Sequence, residues 1–167
     1  MARTVFWATA IAALAALLQS TLLSRLAILH TVPDLALGVL VYTAYVNGTM
    51  TGQVTGFTSG VALDFLSAAP LGFNALVRTV IGALTGLLKG TFFLDVLILP
   101  MILCAVATLV KALMIATTGF LFAGAIPVYD FTKPTLWIEL AYNAVTAPIL
   151  FAFLNLFKAV LKPRQVG

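Results

Sequence analysis

Residues 52–64 read GQVTGFTSGVALD, and residues 74–90 read NALVRTVIGALTGLLKG. In the first run Gly52, Gly56 and Gly60 recur every four positions, and Asp64 continues the row. In the second, Gly82, Gly86 and Gly90 recur in the same way, and Arg78 and Asn74 continue that row backward. Four residues turn a helix by about 400°, so each row is a slowly drifting stripe on one helix face. In lipid, such small-residue stripes let two helix backbones approach closely. The runs are sequential, and Pro70 and Gly72 mark the turn between them. The two helices are therefore antiparallel, and their stripes are predicted to face each other or a shared partner helix.

The polar ends of both rows meet at that turn. By the rise per residue, Asp64 and Arg78 lie within about one helical turn of each other in depth. Either charge alone is costly in lipid, and a pair is tolerable. The expectation is a buried Asp64–Arg78 ion pair that locks the hairpin. A ligand or partner site at the same place is the competing reading.

Composition supplies the solvent. Of 167 residues, 62% are hydrophobic and only 8% are charged. A water-soluble domain this small would leave too much apolar surface wet. A transmembrane helix takes roughly 20 residues. The fold class is accordingly an all-α membrane protein, a bundle of about six transmembrane helices, forming one integral domain over residues 1–167 with no separate soluble module. The spans are predicted at Val5–Leu23, Leu35–Val46, Gly52–Ser67, Leu71–Leu88, Pro100–Gly124 and Thr135–Phe157, with Pro148 as a kink in the last. Arg3 before an apolar stretch resembles a signal peptide, but the uncharged stretch is longer than a signal core and reads as a retained first helix. The second and third spans rise only about 18–24 Å against a core of about 30 Å. They extend into their turn, thin the bilayer, or form a re-entrant hairpin.

Charge sets the orientation. One side would carry Arg3, Lys89, Lys158, Lys162 and Arg164, and the other Arg25 and Lys133 beside Asp34 and Asp130. The positive-inside tendency places both termini in the cytoplasm. The net charge of +4 is scattered and is no nucleic-acid footprint. Lys111 falls mid-span in the fifth helix, and Glu139 near the outer end of the sixth, one turn before Asn143. Lys111 is expected to snorkel, to pair with Glu139, or to face a partner helix. Trp7 and Trp137 read as interface anchors. Cys104 is the only cysteine and His30 the only histidine, so no disulfide, metal site or cofactor is implied. The structural or interface candidates are Asp64, Arg78, Asn74, Lys111, Glu139, Gly52, Gly56, Gly60, Gly82, Gly86 and Gly90.

The run Gly56-Phe57-Thr58-Ser59-Gly60-Val61-Ala62-Leu63-Asp64, followed by Leu71-Gly72-Phe73, resembles the MreD family of rod shape-determining membrane proteins, and so does Pro33-Asp34-Leu35. Gly82 and Gly86 resemble that family's fourth span. Arg78 and Lys111 do not map onto the family pattern. The resemblance implies a non-enzymatic scaffold of the bacterial cell-elongation complex in the cytoplasmic membrane. Its implied partners are MreC, a single-span protein with an extracytoplasmic domain, and through it RodA, its transpeptidase partner and MreB. Membrane lipids surround it, and self-association into a homo-oligomer stays open. The family's helix arrangement also looks like that of the substrate-binding subunits of energy-coupling-factor vitamin transporters, which is the alternative reading. An aspartyl intramembrane protease or signal peptidase needs two carboxylates sharing a proton. Only Asp64 falls well inside a predicted span, so the enzyme reading is disfavoured.

Overall fold

The computed structural model describes residues 1–21, 31–67, 69–91, 97–121 and 134–161. Among them the chain forms seven helices: α1 (Ala2–Thr21), α2 (Leu35–Asn47), α3 (Thr49–Leu66), α4 (Phe73–Leu87), α5 (Ile98–Leu121), α6 (Pro134–Leu156) and α7 (Lys158–Leu161). The six segments expected to span correspond to α1–α6, and the four-residue α7 follows them. By length and composition α1, α5 and α6 qualify as membrane crossings. Arg25, His30, Asp95, Pro127, Asp130, Lys133, Lys162 and Arg164 lie outside the described residues.

The centre of the bundle is α2. Its sequence, LALGVLVYTAYVN, is apolar on every face, and such a helix belongs inside. Every residue from Ala36 to Ala44 is buried. The other long helices pack around it, with Ala8 and Ala12 of α1, Val77 and Ile81 of α4, Leu103 and Ala107 of α5, and Ala147, Phe151 and Leu154 of α6 in one core cluster. Tyr42 meets Phe151 edge-on at 5.2 Å between ring centroids, a favoured aromatic geometry. Gly38 of α2 has the Leu150 side chain of α6 in the space a Cβ would need.

One residue separates α2 from α3. Gly48 has φ +97°, a conformation open to glycine and strained for L side chains. Its N–H closes α2 on the Ala44 carbonyl at 2.7 Å, and its own carbonyl accepts from Gly52 at 2.9 Å to begin α3. The reversal therefore costs no extra loop.

α3 and α4 then pack backbone to backbone. A Cβ on Gly52 would overlap the Gly82 carbonyl, and one on Gly82 the Gly52 carbonyl. Gly56 faces the Arg78 carbonyl, Gly60 faces Ala75, and Gly86 faces Thr49. The two stripes face each other. Gly90 is the exception: it lies beyond the end of α4 with φ +72° and no neighbour within 4 Å of a Cβ position, so it turns the chain rather than continuing the stripe.

The two chain ends meet at one end of the bundle. Arg3 donates to the Ala159 carbonyl at 2.6 Å, and Asn47 donates to the Leu161 carbonyl at 2.9 Å. Lys89 reaches the Asn47 carbonyl at 3.2 Å. This end therefore gathers the start of α1, the end of α2, the turn after α4, and α7.

The close approach of α3 and α4 makes a direct prediction. Gly82→Val must force the backbones apart, at a cost of at least about 1–3 kcal/mol. Leu84→Val, on the half-exposed side of the same helix, should stay near wild type. Thermal unfolding of the purified protein in mild detergent checks both.

Candidate functional site: a buried charge network

α2 spans 13 residues and rises only about 20 Å. Its first turn lies about 20 Å from the end that holds α7, beside Lys111 of α5. A helix that begins at such a depth must satisfy its free N–H groups internally, because no bulk water reaches them. Asp34 is the N-cap, and its Oδ1 accepts from Leu37 N–H at 2.9 Å. The Asp34 N–H donates to Asn143 Oδ1 of α6 at 2.7 Å, and the Leu35 N–H to Gln19 Oε1 of α1 at 3.0 Å. The cap is thus held by three helices.

The same carboxylate gathers charge. Arg78 Nη2 of α4 lies 3.0 Å from Asp34 Oδ1 and 3.2 Å from Oδ2. Lys111 Nζ of α5 lies 2.9 Å from Asp34 Oδ2 and 2.7 Å from Glu139 Oε1 of α6. Two cations and two anions make a formally neutral quartet. Asp34, Arg78 and Glu139 are each at most 7% exposed. Asn143 extends the network, since its Nδ2 donates to Thr108 Oγ1 at 2.9 Å and Thr108 donates to the Cys104 carbonyl at 2.8 Å. Among the described residues, Arg78 Nη1 is buried without a hydrogen-bond partner.

The expected Asp64–Arg78 ion pair is not formed. Asp64 instead caps α4: Oδ2 accepts from Gly72 N–H at 2.9 Å and Ala75 N–H at 3.3 Å, and Oδ1 from Asn74 N–H at 2.9 Å. The reason is local. Asp64 ends α3 directly beneath the start of α4, where free N–H groups and the helix dipole attract an anion. Asn74 helps close the turn through its Nδ2, 3.2 Å from Ser67 Oγ. Arg78 lies more than a turn further along α4 and reaches Asp34 across the bundle.

Lys111 and Glu139 do pair. Glu139 is buried. Asp34 lies just before the predicted second span and is absent from the candidates read from sequence, although an aspartate before an all-apolar run is a helix N-cap signature.

Chemically, the arrangement holds helices together. Asp34 and Asp64 serve different helix ends with different partners, so they form no proton-sharing dyad. Among the described residues no group of three or more His, Cys, Asp and Glu side chains could hold a metal ion. The gap beside Asp34, lined by Leu37, Cys104, Asn143 and Leu150, is too tight to admit a water molecule.

Removing one partner of a buried ion pair strands the other, at a cost of about 3–5 kcal/mol. Asp34→Ala and Arg78→Ala should each lower the thermal stability in detergent on that scale. The double variant should lose clearly less than the sum, because the two share one interaction. Exchanging the charges of Asp64 and Arg78 should rescue nothing; a swap that recovers wild-type stability contradicts the assignment.

No curated protein and no solved structure matches the chain. The family model described as rod shape-determining protein MreD matches residues 1–157. That span takes in every helix from α1 to α6, both glycine stripes and all four members of the charge quartet. The chain belongs to the MreD family of rod shape-determining membrane proteins.

Proposed function

We propose that the protein is a non-enzymatic scaffold of the cell-elongation complex in the bacterial cytoplasmic membrane. It would bind an MreC-like single-span protein and so help organise peptidoglycan synthesis by RodA, its transpeptidase partner and MreB. The observation that carries this reading is the family match over residues 1–157. The charge quartet supports it, because its ion pairs tie the bundle into one body.

The finer topology in this proposal is six crossings by α1–α6, arranged like the substrate-binding subunits of energy-coupling-factor transporters, with both termini cytoplasmic. In support, Arg3 and Ala159 meet at one end of the bundle. Arg3, Lys89 and Lys158 belong to that end with no described carboxylate among them, while Asp34, Asp64 and Glu139 belong to the other half together with Arg78 and Lys111. Basic residues favour the cytoplasmic side. The vitamin-binding alternative needs a pocket for polar recognition in the outer half. Among the described residues, the gap beside Asp34 is too small to take a vitamin.

Gentle detergent extraction followed by affinity purification tests the proposal. A single-span partner with an extracytoplasmic domain should co-purify, and depletion of the protein should round rod-shaped cells. Recovery of a bound vitamin or of ATPase subunits in its place would overturn the reading.

A further inference from the structure

α4 and α5 follow one another in the chain, yet they do not close on each other along their whole length. Between them runs an apolar groove of about 440 Å³, lined by Leu84 and Leu88 of α4 and by Leu99, Ile102, Val106 and Val110 of α5. Leu84, Ile102 and Val106 are 44%, 47% and 46% exposed. Protein interiors are packed too densely to leave such a space empty, and an apolar groove in a bilayer fills with hydrocarbon.

The groove's length and position narrow the occupant. From Leu99 to Val110 it runs about 17 Å along α5. That is close to half of a hydrocarbon core of about 30 Å, the depth of one leaflet. Its inner end stops at Val110, beside the charge quartet at Lys111. Its other end lies at Leu87 and Leu88, which directly precede Lys89 in the chain. Lys89 is exposed, and its Nζ meets only the Asn47 carbonyl among the described residues, so no described carboxylate neutralises it. The described charges at this end of the bundle (Arg3, Lys89 and Lys158) are all positive, which suits an anionic leaflet.

We propose that the α4–α5 groove is a binding site for one anionic phospholipid. One acyl chain lies along Leu84, Leu88, Ile102 and Val106, and the phosphate sits at Lys89. The lipid then completes the packing of α4 on α5 in the leaflet that faces Lys89. This site stands or falls independently of the scaffold reading.

Native mass spectrometry of the full chain, released from mild detergent containing phosphatidylglycerol and phosphatidylcholine of matched acyl chains, tests it. One phosphatidylglycerol should be retained in preference. Val106→Trp and Leu84→Trp, both at half-exposed lip positions that leave the core intact, should each cut that retention several-fold with little change in thermal unfolding. Lys89→Ala should abolish the preference for phosphatidylglycerol. Equal retention of the two lipids, retention unaffected by either tryptophan, or a preference that survives Lys89→Ala would overturn the proposal. So would a photo-crosslinker at Val106 that captures a second polypeptide rather than lipid.

Discussion

One carboxylate ties four helices together. Asp34 caps α2, holds Arg78 of α4 and Lys111 of α5, and through Lys111 reaches Glu139 of α6. Lipid tails are as apolar as leucine, so burial alone gives helices little reason to choose one another in a bilayer. A charge in that medium does choose, because an unpaired ion is expensive there. The quartet therefore fixes the depth and rotation of each helix it touches. It also explains why α2 can be so short. A helix that starts at mid-depth is tolerable when its N–H groups are met by Asp34, Asn143 and Gln19.

The glycine stripes complement this by a different means. Between α3 and α4 the contact is backbone on backbone, with Gly52 against Gly82 and Gly56 against the Arg78 carbonyl. Close approach gains dispersion contacts along the whole hairpin. It also fixes where Arg78 stands, since the arginine that reaches Asp34 has its own carbonyl seated on Gly56. The hairpin is closed at one end by Gly48 and at the other by Asp64, which meets three amide groups at the start of α4. Packing thus sets the hairpin, and charge docks it onto the rest.

The sequence made much of this legible. Helix positions follow from runs of apolar residues bounded by glycine, proline and charge. The stripes follow from a spacing of four, which can serve only one helix face. The Lys111–Glu139 contact was one of three outcomes open to a cation at mid-span. The partners of Asp64 and Arg78 were not legible, because depth along two helices does not say which way a side chain turns. Asp64 had a nearer attraction in the free amides of α4. Asp34 was hidden for a related reason. Proximity in sequence to Pro33 suggests a surface turn, and only the short length of α2 places that turn inside the bundle. Gly90 keeps the spacing of four but falls past the helix end, where spacing carries no meaning.

In this member of a rod shape-determining family of membrane proteins, such a centre holds the helices as one body. The claim that Asp34 is the node can be tested most directly by hydrogen exchange in detergent, comparing Asp34→Ala with Asp64→Ala. The account predicts that loss of Asp34 raises exchange in the adjoining turns of α2, α4, α5 and α6 together. Loss of Asp64 should raise it only around the α3–α4 turn. Exchange confined to the first turn of α2 in Asp34→Ala would contradict the account.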